Sequence, residues 1–154
     1  MSSIVLDSSI VVKMPNWIGD FVMATAFLEK LHALYPEATL TLICQKPLEE
    51  LLLHHPFLTS FFPYKRNSFF LKQLFHQPVI RFLREKKFTT GFLLTHSFSS
   101  ALWFFLGNVK NRIGFTNTTR SFLLNHPFSS SCTSPHLAYI YQELLSYFPN
   151  NKNF

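Results

Sequence analysis

Short apolar runs of strand length alternate with stretches of helical period along most of the chain, and few architectures accept that pattern. Residues 10–14 (IVVKM) form the first run, and Pro15-Asn16-Trp17-Ile18 breaks it. A helical period follows over 19–35, with Met23, Phe27, Leu31 and Leu34 on one face, and Pro36 ends it. Residues 40–44 (LTLIC) read as a second strand, and Pro47 opens a short helix over 48–53. Residues 58–62 read as a third strand. The helical period over 70–85 contains Pro78, which predicts a kink or two helices. A fourth strand at 88–94, a helix at 97–106, a fifth strand at 112–115 and a last helix at 135–148 complete the series. Strands that are apolar throughout, separated by helices, predict an α/β fold: a parallel, Rossmann-like sheet with helices on both faces. Ligands on such sheets sit at the carboxyl ends of the strands.

The 154 residues suit a single domain that buries its own core without disulfides or metals. Residues 1–8 are expected to be an N-terminal extension. With 47% apolar and 14% charged residues, the chain is neither disordered nor a polyelectrolyte. The formal net charge of +6 suits nucleic acid, an anionic membrane or a phosphorylated ligand. The cations are scattered, the densest groups being Lys65-Arg66 and Arg81, Arg84, Lys86, Lys87. That scatter weighs against a nucleic-acid surface. Cys44 and Cys132 form no CxxC pair, and the histidines show no metal-ligand spacing, so no metal site is expected. The start of the chain lacks a basic n-region. The most apolar segment, 91–109, is interrupted by Thr95, His96, Ser97, Ser99, Ser100 and Asn108. A soluble cytoplasmic protein is the expectation.

The first strand–helix junction, Lys13-Met14-Pro15-Asn16-Trp17-Ile18-Gly19-Asp20, carries the most chemistry. It lacks the GxGxxG fingerprint of dinucleotide binding. Gly19 is expected to allow a tight turn and close approach of a ligand to the backbone. Asp20 has two readings: a helix-capping acid that complements the dipole, or an acceptor for the proton of a bound hydroxyl. Arg112 and Arg120 also have two: strand-end binders of phosphate or carboxylate, or solvated arginines in ordinary ion pairs. His96 follows the fourth strand and is a ligand contact or a plain loop histidine. No GxSxG elbow supports a hydrolase triad. The aromatic stretch 57–75, holding Lys65 and Arg66, reads as core plus an exposed loop, with a nucleic-acid platform, or a membrane-facing patch near Tyr64-Lys65-Arg66, as the alternatives.

The string Pro15-Asn16-Trp17-Ile18-Gly19-Asp20-Phe21-Val22-Met23 resembles the opening of the ADP-heptose:lipopolysaccharide heptosyltransferases of glycosyltransferase family 9, the heptosyltransferase II branch above all. Further stretches agree in order: LHALYPEATLTL at 31–42, SFSSAL at 97–102, Arg112-Ile113-Gly114-Phe115 through Arg120 and Leu123-Leu124-Asn125, then His136 and Tyr139. The resemblance covers about residues 9 to 148. It implies the N-terminal, acceptor-side domain of a two-domain GT-B enzyme that transfers heptose from ADP-heptose to the lipopolysaccharide inner core, with inversion and without metal or other cofactor. The family's Gly-Asp aspartate, its general base, falls on Asp20. Lys13, Asn16, Trp17, Gly19, His96, Ser97, Arg112 and Arg120 become the candidate substrate-binding residues. Ser99 stands where the family often has Lys. The donor-binding domain is expected to be absent, leaving activity dependent on a separate C-terminal chain. The partners implied are the inner-core acceptor, that chain, and peripheral contact with the inner membrane at its cytoplasmic face. Competing readings are a non-catalytic remnant that binds an acidic glycolipid, or a small basic nucleic-acid-binding protein.

Overall fold

The computed structural model describes residues 9–56, 58–129 and 136–150. The expected extension 1–8, most of the Ser-rich loop and Pro135 lie outside these. β1 (Ser9–Lys13), β2 (Thr39–Gln45), β3 (Leu58–Tyr64), β4 (Thr90–Leu93), β5 (Asn111–Phe115) and β6 (His126–Phe128) form one sheet, every described pair of strands parallel, in the order β3-β2-β1-β4-β5-β6. The helices are α1 (Ile18–Leu34), α2 (Phe70–Leu74), α3 (Gln77–Lys86), α4 (Phe98–Leu106) and α5 (Leu137–Asn150), with 3-10 turns at Leu48–Leu52 and Ser121–Leu123. This is the doubly wound fold that the alternation predicts. β6 was not anticipated. Its three residues include Pro127, which edge strands tolerate because one side of their ladder is empty, so it carries no alternating apolar pattern. Pro63 occupies the other edge, in β3. The Pro78 pattern resolves as two helices, broken at Phe75 and His76.

Strand pleating sorts the core into two layers. Ile10, Val12 and Met14 face α1 and α5, joining Phe21, Phe27, Leu31, Leu144 and Leu145. Val11 and Ile43 face α3 and α4, joining Val79, Leu83, Trp103 and Phe104. α4 lies against β4 closely enough that a Cβ on Gly91 would stand 2.6 Å from the Phe104 ring, so only glycine fits there. Period-2 parity gives Lys13 an inward position on the α3–α4 side, and its side chain is fully buried.

The strand order runs outward in opposite directions from β1 and β4. A crevice opens where it reverses, above the carboxyl ends of these two strands. The segments leaving β1 and β4, residues 14–20 and 94–97, form its two walls.

Candidate functional site at the strand-order reversal

A cleft of about 320 Å³ occupies that crevice, lined by Pro15, Asn16, Trp17 and Asp20 from the β1–α1 junction, Leu94 to Ser97 from the β4–α4 junction, and Tyr141 of α5. A smaller cleft of about 200 Å³ shares His96 and Tyr141 and extends along Phe115, Thr116 and Phe128. The structure thus gathers Asn16, Trp17, Asp20, His96 and Ser97 in one place.

Asp20 is the third residue of α1. The residue flanking the helix start, Trp17, gives no side-chain cap, and among the described residues no hydrogen bond or ion pair engages the Asp20 carboxylate. The capping alternative therefore lacks its defining bond, although the dipole still favours an acid in this turn. The carboxylate lies near the buried Tyr141 phenol. Burial first, and the Asp20 charge second, push the Tyr141 hydroxyl up to about 12. Tyr141 stays protonated and donates to the Leu94 carbonyl at 3.5 Å.

Asn16 joins this cleft to the core below. Its Oδ1 accepts from Lys13 Nζ at 3.0 Å and from Tyr64 Oη at 3.1 Å. With that oxygen doubly occupied, the amide Nδ2 remains as the donor available to the cleft. Lys13 does not reach a ligand: Nζ also donates to the Met14 carbonyl at 2.6 Å and lies 5.2 Å from the centre of the Tyr64 ring. Burial lowers its pKa to about 7, opposed by the neighbouring Cys44. Gly19 lies within the first turn of α1 and has no positive φ, so the expected tight turn is absent. A Cβ there would meet nothing within 4 Å, which leaves the helix start open.

His96 is exposed at the cleft wall and stacks on Phe115, ring centres 5.2 Å apart. Burial on its inner side and the Arg120 charge lower its pKa, favouring neutral imidazole. Ser97 caps α4. Its Oγ accepts from Ser100 N at 3.4 Å and pairs with Ser100 Oγ at 2.6 Å.

The two arginines differ from expectation. Arg120 is fully buried. Its guanidinium donates to the Phe115 carbonyl from Nε and Nη2, and to the Ser97 carbonyl from Nη1 at 3.1 Å. It is a brace that ties the end of β5 to the start of α4, and burial lowers its pKa to about 10. Arg112 sits near the amino end of β5, beside Gly91 of β4, and thus on the side of the sheet opposite the cleft. Its guanidinium donates to the Leu123 and Val109 carbonyls at 2.7 and 2.8 Å and packs on Phe105. Neither arginine offers its charge to a ligand in the cleft.

Sequence reasoning missed Tyr141, which the helical pattern presents as an ordinary core residue, and it set Tyr64 in a surface patch rather than beneath the cleft, where it bonds Asn16. Among the described residues no three His, Cys, Asp or Glu side chains gather into a group able to hold a metal, and no helix is long and apolar enough to cross a membrane.

The strand order, with the cleft at its reversal point, defines the domain as a Rossmann-like, doubly wound α/β fold. It superposes on the glycosyltransferase family 9 protein of Veillonella parvula with a TM-score of 0.78, at 17% identity, over 91% of this chain and 40% of that one. With the Escherichia coli ADP-heptose lipopolysaccharide heptosyltransferase II it gives a TM-score of 0.70 at 23% identity, over 86% of this chain and 40% of that one. These likenesses establish the fold. In sequence, the chain is a partial match to lipopolysaccharide heptosyltransferase 2: 30% identical to that of Salmonella typhimurium over 111 residues and 29% identical to that of Escherichia coli over the same length. The match covers 72% of the chain and 32% of each relative, so the chain spans about a third of the length of the curated relatives it matches. No family model matches the chain.

Proposed function

We propose that this domain is the acceptor-binding half of a heptosyltransferase of lipopolysaccharide core biosynthesis, with Asp20 as its general base. The observation that carries the proposal is the Asp20 carboxylate in the cleft at the strand-order reversal, which no described residue engages. A hydroxyl of the acceptor, held by the Asn16 amide and the neutral His96 ring, gives its proton to Asp20 as its oxygen attacks the anomeric carbon of the heptose. The ADP group leaves from the opposite face, so the anomeric centre inverts. A positioned base of this kind contributes about 10²- to 10⁴-fold. The exposed Trp17, Ile18 and Val22 at the start of α1 suit the inner wall of a two-domain cleft, where a donor-binding domain encoded outside these 154 residues closes over the acceptor. Holding donor and acceptor together is the larger part of a transferase's advantage, so the isolated domain is inactive. The acceptor is lipid-linked, which places the working enzyme at the cytoplasmic face of the inner membrane.

The test is transfer from ADP-heptose to an inner-core acceptor by this chain, with and without a separately expressed donor-binding domain of a heptosyltransferase 2. Turnover only in the mixture supports the proposal. A folded chain that gives none in either, with several such domains and acceptors, refutes it and leaves a non-catalytic glycolipid-binding domain.

A further inference from the structure

From residue 51 to residue 84 the chain has no acidic residue, yet it carries Lys65, Arg66, Lys72, Arg81 and Arg84. α2 lies in this stretch and its polarity is inverted. Phe69, Phe70 and Leu71 are 68%, 75% and 67% exposed, while the polar anchors point inward. Trp103 of α4 donates from Nε1 to the Gln73 and Leu74 carbonyls at 3.0 and 3.1 Å, tying down the carboxyl end of the helix. Gln73 Oε1 accepts from Asn67 N at 2.7 Å and closes the loop before it. The apolar side chains are thus held outward by a braced scaffold. Lys65 and Arg66 are exposed on the approach to α2, and Lys72 projects beside Phe69, with Nζ 5.3 Å from the ring centre. Lys65 and Lys72 also line a cleft of about 490 Å³ between β3, α2 and the start of α3, whose floor includes His76. The expected patch at Tyr64 is displaced: Tyr64 is buried, and the exposed aromatics lie five residues on.

We propose that α2 and its flanking cations form a docking surface for an anionic lipid bilayer, Phe69, Phe70 and Leu71 entering the headgroup–acyl boundary and Lys65, Arg66 and Lys72 meeting lipid phosphates. Charge complementarity selects this occupant. Exposed aromatic residues ringed by cations, with no acid nearby, suit an anionic interface. α2 follows the carboxyl end of β3, and the Tyr64–Asn16 hydrogen bond joins that end to the Asp20 cleft. Bilayer and cleft are therefore on the same rim of the sheet. The docking surface stands on the patch itself; its role in presenting a lipid-linked acceptor to Asp20 rests on the glycosyltransferase reading.

The experiment is co-sedimentation of the purified chain with vesicles of phosphatidylglycerol and phosphatidylethanolamine, against vesicles of phosphatidylcholine alone. Binding to the anionic vesicles only is expected, and it falls as salt shortens the Debye length from ~10 Å at 0.1 M to ~3 Å at 1 M. Lys65→Gln/Arg66→Gln/Lys72→Gln weakens it by about a hundredfold, each charge contributing roughly fivefold. Phe69→Ser/Phe70→Ser/Leu71→Ser weakens it by about tenfold or more. These side chains are exposed, so circular dichroism of both variants is expected to be unchanged. Absence of binding at low salt overturns the proposal. So does binding that survives both triple variants, or an apolar variant whose only effect is to turn a dimer into a monomer, which makes the patch a self-association face. Transfer to a deacylated, water-soluble acceptor needs no bilayer, so failure here and failure of the transferase reading are separable.

Discussion

The mouth of the cleft and the packed layer beneath it treat charge in opposite ways. At the mouth, Asp20 stands at a helix start, and among the described residues nothing engages its carboxylate. One layer down, Lys13 and Arg120 are fully buried, and each donates to main-chain carbonyls. Arg112, at the far end of β5, does the same. All four residues present themselves alike in the sequence, as charged groups next to strands. Only Asp20 remains available for chemistry. A buried guanidinium with several carbonyl partners stabilises loops that would otherwise leave those carbonyls unpaired, whereas an unengaged carboxylate in a cleft contributes little to folding and keeps its acceptor capacity for a ligand.

This contrast is broken or sharpened by substitutions on its two sides. The largest effect is expected at Lys13. Its folded pKa of about 7 lies below the 10.5 of the free side chain. The unfolded chain therefore binds more protons between these values, and stability rises with pH across that window, the charged lysine being a burden to the fold below about pH 7. Lys13→Met is expected to flatten this rise in urea titrations between neutral pH and pH 10; an unchanged slope places the buried amine's titration elsewhere. Arg120→Ala removes three hydrogen bonds and leaves the Phe115 and Ser97 carbonyls unpaired, a loss of about 2–4 kcal/mol by chemical denaturation. Arg112→Ala, at a half-buried site with two carbonyl partners, loses about 1–2 kcal/mol and leaves acceptor affinity unchanged in a titration of the reconstituted complex. A fall in acceptor affinity there would return Arg112 to the binding site. Asp20→Asn, with no bond to lose, is expected to shift stability by no more than ~0.5 kcal/mol.

Much of the fold was legible because periodicity reports burial. IVVK and TLICQ announce strands covered on both faces, and the spacing of Phe27 and Leu31 announces a helix lying on one of them. β6 escaped because a three-residue edge strand containing Pro127 makes no pattern. The cleft was half legible. Asp20 and His96 follow strands that turn out to flank the reversal point, and a parallel sheet brings the ends of such strands to one rim. The arginines were misplaced, for two reasons. The fifth strand reads as starting at Arg112, which in a parallel sheet puts that residue at the amino end, away from the cleft, yet the resemblance still makes it a ligand contact. And sequence does not reveal that a cation is buried, since arginine is almost always outside unless backbone or carboxylate partners surround it, as the carbonyls of residues 97 and 115 surround Arg120. Lys13 shows the same blind spot. Its inward position follows from pleat parity, but its partners Asn16 and Tyr64 are assembled from separate parts of the chain.

The most direct test of the account compares Asp20→Asn with the unchanged chain in the transfer mixture containing a separate donor-binding domain, with stability measured on the same preparations. The account predicts that the variant folds as well as the parent, associates with the donor domain and acceptor as before, and loses about 10²-fold or more in turnover. Turnover equal to the parent's would contradict it, and would make Asp20 a first-turn acid whose role is confined to the dipole of α1.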